Sequence, residues 1–468
     1  MADSLNVLIF NRLQNKIFLI ILLPFLEHFR ANCHFFTQND LDTSSEKRNF
    51  VVQKLFFTFV ITMKKECLIG FKCAPMERVR IGFIGVGARG ARAVERMMNI
   101  EGTEVVAVCD FIQTNIEHSC AIVEKYGGCK PAALLNEEGW QSVCNRDDID
   151  LIYISTDWVS HADIAVYALE CGKHVAIEVP AAMSVEDCWR LVDAAEKAQR
   201  HCMMLENCCY DEFELATLNM VQQGLFGDLM HAEASYIHDL RERISLNDNG
   251  HRLWKNWQVE YMATHIGNFY PTHGLGPVAL ALGLHRGDRM KSLVSVSSDA
   301  IGEPDTFRGT MNSTIIKTER GRTILLQHGI ALPRPYSRHF LLSGTEGYVQ
   351  KYPAPYMAFA PDTTDILAGE RCQALAEQYK HPIVAEYKER GVEICGSRWI
   401  DYLMDSRLIY CLRNGLPLDM DVYDAAEWSS LVELTEQSAL AGGAPIEIPD
   451  FTRGEWDKVQ GFDFAFAE

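Results

Sequence analysis

VRIGFIGVGARGARAVERMM, residues 79–98, decides the fold. A short apolar run ends in G-x-G-x-x-G and passes directly into a stretch with helical spacing. Gly85 permits the tight turn, Gly87 lets the backbone approach a pyrophosphate, and Gly90 lets the helix lie close to its strand. The N–H groups at the helix start have no intrahelical acceptors, and with the helix dipole they form an anion site. Alone the pattern is weak. Here EVVAVCD (104–110) follows, a second apolar strand ending in Asp110. A carboxylate at that distance accepts hydrogen bonds from an adenosine ribose and repels a 2′-phosphate, so the spacing predicts NAD rather than NADP. A plain strand-end aspartate is the alternative.

Outward from this unit the β-α alternation continues. DIDLIYIST (148–156) and KHVAIEVP (173–180) read as strands separated by the helix ADIAVYALECG. AAMSVEDCWRLVDAAEKAQ (181–199) is an amphipathic helix opened by Ser184, with Glu186 and Asp187 in its first turn, and CMMLENC (202–208) is another strand. The alternation predicts an α/β Rossmann-type domain over 76–208, a doubly wound parallel sheet with ligands at the strands' carboxyl ends. Those ends present Trp158, His161, Glu178, Val179 and Asn207.

The second half, 209–468, changes character and predicts a substrate-binding α+β domain on an open, mainly antiparallel sheet. HAEASYIHD (231–239), KSLVSVSSD (291–299), TMNSTIIKTERGRTILLQHG (310–329) and RHFLLSGTEGYVQ (338–350) are β-rich, and TERGRT reads as a hairpin turn. DAAEWSSLVELTEQSALAGG (424–443) is a helix that stops at a glycine pair.

Residues 1–75 read as an N-terminal extension outside the fold, because MERVRIGFIG opens the first domain at Met76. KIFLIILLPFL (17–27) is about half the length of a membrane span and is followed by no small-residue cleavage site, so membrane attachment is not expected. The composition, 48% hydrophobic and 23% charged, suits a globular chain with a large core. A net charge of −19 without a long basic run excludes nucleic acid as the expected partner. The 15 cysteines are scattered without a C-x-x-C pair, which fits buried thiols in a reducing, cytoplasmic compartment. Export and homo-oligomerisation stay open.

YPTHGLGP (270–277) is too broken by Pro and Gly to read as regular structure. His273 within it is a candidate general base, since histidine titrates near neutrality. A structural loop histidine is the alternative. No metal is expected, because no H-x-x-x-H, H-E-x-x-H or Cys/His cluster accompanies it. Nearby His238 and His265 read as structural or surface residues. Tyr236, Trp254, Trp257, Tyr270 and Tyr336 suit a sugar pocket, with helix packing the simpler reading for the two tryptophans.

A Rossmann domain with E-x-P after its fifth strand and a sheet domain carrying a histidine segment resembles the Gfo/Idh/MocA oxidoreductase family. Ordinary members have lysine in E-x-P; this chain has Val179, which can neither polarise a carbonyl nor relay a proton. GVGARG, W-V-S-H (158–161), EVP (178–180), LENC, YIHDLR (236–241), GNFYPTHGLGPV (267–278) and LPRPYSR (332–338) are similar to one branch, glycoside hydrolase family 109. Its members are NAD-dependent α-N-acetylgalactosaminidases. The resemblance implies NAD contacts from Ala88, Arg89, Asp110, Trp158, Val159, Ser160, His161, Glu178, Val179 and Asn207, beside Gly85, Gly87 and Gly90 of the loop. It implies sugar contacts from Tyr236, Tyr270, Pro271, Thr272, His273 and Tyr336, with His273, Tyr270 and Tyr336 doing the chemistry. Gln258 stands where the pattern has arginine. The implied reaction oxidises the sugar at C3, eliminates across C1–C2, adds water and returns the hydride. An NAD-linked sugar dehydrogenase and a non-catalytic NAD-binding regulator are the competing readings.

Overall fold

The computed structural model describes residues 66–135, 139–245, 256–299 and 309–461. Trp254 and both apolar N-terminal runs lie outside them. The first sheet contains β1 (Val79–Ile84), β2 (Thr103–Asp110), β3 (Ala132–Leu135), β4 (Leu151–Ile154), β5 (His174–Ile177) and β6 (Cys202–Met204). They are ordered β3-β2-β1-β4-β5-β6, every pair parallel, so the strand order reverses at β1. β4 (LIYI) and β5 (HVAI) are buried along their whole length, as strands covered on both faces must be. The loop after β1 therefore sits at the switch point where such sheets bind ligands.

The second sheet contains β7 (Leu229–Ile237), β8 (Met290–Ser297), β9 (Asn312–Thr318), β10 (Thr323–Gly329), β11 (Ser337–Gly344), β12 (Gly347–Gln350), β13 (Tyr356–Phe359), β14 (Leu367–Ala368) and β15 (Ile446–Glu447). Their order is β14-β13-β12-β11-β7-β10-β9-β8-β15, antiparallel except where β7 meets β10. TERGRT does close a hairpin, with Lys317 opposite Thr323. Helix Val422–Leu440 starts two residues before the expected segment, because Asp421 and Asp424 form a reciprocal capping box.

One hydrophobic core runs through both sheets. The second half also returns to cover the first sheet through helix Trp399–Asn414: Arg96 Nε donates to Asp405 Oδ2 at 2.6 Å, both side chains buried. Residues 66–75 correct the expected boundary. Leu68 and Ile69 are 4% and 5% exposed, and the Leu68 N–H donates to the Tyr423 hydroxyl at 2.9 Å. The apolar pair finds its cover hundreds of residues away, where no local pattern announces it. No helix among the described residues is long and apolar enough to cross a membrane, and the described cysteines are free thiols, most of them buried.

Candidate active site

The glycine loop is built as its spacing requires. Gly85 has φ +82°, and a Cβ there would lie 2.6 Å from the Ser155 carbonyl oxygen. A Cβ on Gly90 would lie 2.1 Å from the Gly85 carbonyl oxygen, so only glycine lets the helix approach the turn. Gly87 differs: the nearest atom to its Cβ position is Asn115 Nδ2 at 3.8 Å, and its bare side faces a cleft of about 360 Å³ lined also by Ala88, Arg92 and His118. As N-cap of helix Ala88–Met97 it supplies no side-chain acceptor, leaving N–H groups for an anion. Asp110 is more than a strand terminus. It accepts from the Val86 N–H at 2.8 Å and from Asn115 Nδ2 at 3.2 Å, holding the loop while an acceptor site remains for a ribose hydroxyl. These residues fit a dinucleotide.

Three of the other expected cofactor residues, Arg89, Glu178 and Asn207, are tied together through one that sequence reasoning missed. Asp401 accepts from Arg89 Nη1 at 3.0 Å and from Asn207 Nδ2 at 2.6 Å, while Arg89 Nε donates to Glu178 at 2.6 Å. His161 is buried, hydrogen-bonded through Nδ1 to the Pro180 carbonyl at 2.8 Å, and burial lowers its pKa. Its Nε2 is then an acceptor with no partner among the described residues. Ser160 bonds within its own turn to Asp157, Val159 is 67% exposed, and Val179 is 4% exposed. Trp158 is buried against Trp257 and Tyr270, ring centroids 5.0 and 5.8 Å away.

Thr272 and His273 of the Y-P-T-H segment do not lie in a loop but open a helix. Pro271 is the N-cap of helix Thr272–Ala281, which contains Pro277. Proline there lacks the N–H that the His273 carbonyl four residues earlier would accept from, a local cost that packing outweighs. Its glycines serve packing rather than approach of a sugar: a Gly274 Cβ would lie 2.5 Å from the Ser235 backbone, and a Gly276 Cβ 2.9 Å from Glu206 Cγ. That contact brings His273 onto Glu206, Nδ1 to Oε1 at 2.7 Å. Glu206, His273 and Cys208 present ligand-type atoms within 4.8 Å of one another, and a metal ion there would have to break the His273–Glu206 hydrogen bond. The second such group among the described residues is His285, Asp421 and Asp424.

Burial disfavours the charged ring of His273, but the Cys208 sulfur and the Glu206 carboxylate outweigh it and push the pKa up to about 10. This corrects the expectation of a base titrating near neutrality. Burial lifts the Tyr236, Tyr270 and Tyr336 phenols above their ordinary range, so they act as neutral donors.

Tyr270 is central, its ring 4.7 Å from His273 and 5.1 Å from Tyr236. Tyr336 is held by Arg338, whose Nη1 donates to its hydroxyl at 3.2 Å and whose Nη2 donates to Glu214 at 2.6 Å. His238, expected to be structural, bonds the Tyr236 hydroxyl at 3.4 Å and packs on Tyr336 at 5.1 Å; His265 stacks on Tyr261. Beside these rings lies a cavity of about 190 Å³ lined by Trp158, Tyr236, Arg243, Gln258, Tyr270 and His328. Gln258 Oε1 has no hydrogen-bond partner among the described residues. Arg243 makes no ion pair among the described residues, and burial lowers the His328 pKa to about 4. Pro271 and Thr272 are buried, with the Thr272 hydroxyl on the Glu206 side.

Two family profiles match the chain: "Oxidoreductase family, NAD-binding Rossmann fold" over 79–206 and "Glycosyl hydrolase 109, C-terminal domain" over 210–458. An α-N-acetylgalactosaminidase from Bacteroides fragilis is 48% identical over 407 residues, covering 84% of this chain and 96% of that one. A glycosyl hydrolase family 109 protein from Phocaeicola vulgatus is 50% identical over 410 residues, covering 84% and 99%. Among solved structures, an NADH and L-sorbose complex of levoglucosan dehydrogenase superposes with a TM-score of 0.62 at 17% identity, covering 80% of this chain and all of that one. An oxidoreductase domain protein from Kribbella flavida gives a TM-score of 0.62 at 18% identity with the same coverage. Both likenesses concern the fold.

Proposed function

Because this chain belongs to glycosyl hydrolase family 109, we propose that it releases terminal α-N-acetylgalactosamine from a glycan, with NAD as a retained, redox-neutral cofactor. The carrying observation is His273, seated on a buried carboxylate and surrounded by neutral tyrosines, beside an aromatic cavity with no carboxylate among its described lining residues. A glycosidase built on paired carboxylates needs both of them flanking the bond. Next to the pocket, across the shared ring of Tyr270, stands a proton carrier instead, His273.

Bound NAD⁺ supplies reversible removal and return of a hydride at the sugar C3, which makes the C2 proton acidic while C3 is a carbonyl. Gly85, Gly87, Gly90 and Asp110 would hold the dinucleotide, with Ala88 and Arg89 at the helix start and Glu178, Val179, Asn207 and the residues from Trp158 to His161 at the strand ends. His273 takes the C2 proton as the C1–O bond breaks, water adds at C1 and gives up a proton to the departing oxygen, and His273, its N–H exchanged with solvent, returns a proton to C2. The neutral phenols of Tyr270 and Tyr336 donate to sugar oxygens where charge builds. Tyr236 and Gln258 orient the ring, Gln258 by accepting from a hydroxyl or amide. Pro271 and Thr272 hold the start of the His273 helix. The buried free thiols support a cytoplasmic location.

The test is hydrolysis of a nitrophenyl α-N-acetylgalactosaminide by purified holoenzyme in D₂O. Product should form without accumulation of NADH, and deuterium should enter at C2. NADH rising in step with product would identify a sugar dehydrogenase instead. A base must be unprotonated, so kcat/KM should climb with pH well above 6.5, the ordinary histidine value. A rate that falls over that range would make His273 an acid.

A further inference from the structure

We propose that Glu206 is a positioning residue for this reaction, delivered from the end of β6 to hold Nδ1 of His273 and leave Nε2 as the nitrogen that meets the sugar. The proposal rests on the reading of His273 as the base. Glu206 is 0% exposed, and its Oε1 accepts from both His273 Nδ1 at 2.7 Å and the Cys208 N–H at 3.0 Å. Its Oε2 has no partner in hydrogen-bond geometry among the described residues. A carboxylate this deep is costly unless a cation or strong donor meets it. His273 is the group in place to do so.

The meeting is arranged from both sides. Glu206 comes from the nucleotide-binding half and caps the 3₁₀ turn Asn207–Tyr210, whereas His273 comes from helix Thr272–Ala281 of the other half. The bare Gly276 lets that helix rest directly on the Glu206 side chain. A carboxylate on Nδ1 selects the tautomer with Nε2 unprotonated and stabilises the imidazolium formed when Nε2 takes a proton.

Other charged and titratable groups stand around the pair among the described residues, Glu178 and Arg89 beside Tyr270 and Arg243 beside Tyr236. Cys208 flanks the ring from the same turn, Tyr270 from the helix entry, and Tyr236 from β7 at 5.5 Å. Farther out, Glu214 is engaged by Arg338 and Lys351, Asp424 by Arg286, and Glu427 by His285.

The experiment compares wild-type, Glu206→Gln and Glu206→Asp holoenzymes. The Gln variant should lose about 10²–10⁴-fold in kcat, since an amide can stabilise the tautomer with Nε2 protonated. Its KM and bound NAD should change little. Loss of the negative charge lowers the His273 pKa, so the rising limb of kcat/KM should move to lower pH by about one unit or more. The Asp variant keeps the charge, so its limb should stay in place while its shorter reach lowers kcat. A Gln variant with an unmoved limb overturns the proposal. Should that variant not fold, an Asp variant with full kcat overturns it equally. A wild type without NAD-dependent cleavage would refute the glycosidase reading, whereas an active wild type with an unmoved Gln limb refutes the Glu206 role alone.

Discussion

Two glycine-bearing helix starts frame this site, and one glycine among them, Gly87, does a different job from the rest. Around helix Ala88–Met97, Gly85 and Gly90 are locked against neighbouring backbone, while Gly87 faces an open cleft. In helix Thr272–Ala281, Gly274 and Gly276 both press on protein, the first on Ser235 and the second on Glu206 and Cys209. A glycine spacing thus indicates where backbones come close. Whether the close neighbour is a ligand or another strand depends on what the rest of the chain brings across.

The largest expected effect breaks the site on the second helix. His273→Ala should lower turnover by about 10²–10⁴-fold, the range for loss of general acid–base catalysis. NAD and sugar should still bind, and C2 deuterium exchange should disappear with turnover. Retained exchange with lost sugar binding would move the base to Tyr270 or Tyr336.

Next come the glycines themselves. Gly274→Ala forces a methyl group into the β7 backbone and should destabilise the fold by about 1–3 kcal/mol, as overpacking does, read as a shift in denaturant midpoint. Gly87→Ala should leave the midpoint within about 0.5 kcal/mol. Its loss should appear as weaker NAD binding in a calorimetric titration of the cofactor-stripped protein. Equal destabilisation by the two substitutions would erase the contrast.

Asp110→Ala sharpens it from the other direction. Removing hydrogen bonds to a charged group should weaken NAD by about 1–3 kcal/mol and relax discrimination against NADP, measured by titrating both. An unchanged NAD:NADP ratio would restrict Asp110 to holding Val86 and Asn115 in place. The smallest effect belongs to Tyr336→Phe. It deletes one neutral donor and should cost about 0.5–1.5 kcal/mol of transition-state binding in kcat/KM, with the midpoint unchanged.

Much of this was legible in the sequence. Strand–turn–helix order and apolar runs carry the first sheet, and alternating runs carry the hairpin of β9 and β10. Tyr236, Tyr270, His273 and Tyr336, which the family resemblance groups, lie beside one another. The helix at Thr272 was not legible, since proline and glycine read locally as breakers and only burial against β7 overrides that preference. Glu206 stood beside Asn207 without a signal of its own, because its partner lies 67 residues on. Asp401 lies 312 residues from Arg89, and a single acid on a helix has no period to betray it. Leu68 and Ile69 were obscured in the same way, by a cover that only the folded chain supplies.

The buried pair between Arg96 and Asp405 has a consequence for biosynthesis. Arg96 leaves the ribosome 309 residues before its partner, an interval of about 15–60 s at about 5–20 residues per second. During that time its guanidinium must stay in water or borrow another acceptor, because burying it alone is prohibitive. Within the first sheet the Tyr153 hydroxyl is a neutral acceptor for Arg96, and helix Ala88–Met97 gains its buried carboxylate partner only when helix Trp399–Asn414 emerges. Ribosome-bound chains that stop short of Trp399 should be cut by protease within Ala88–Met97, and chains extended past Asn414 should resist.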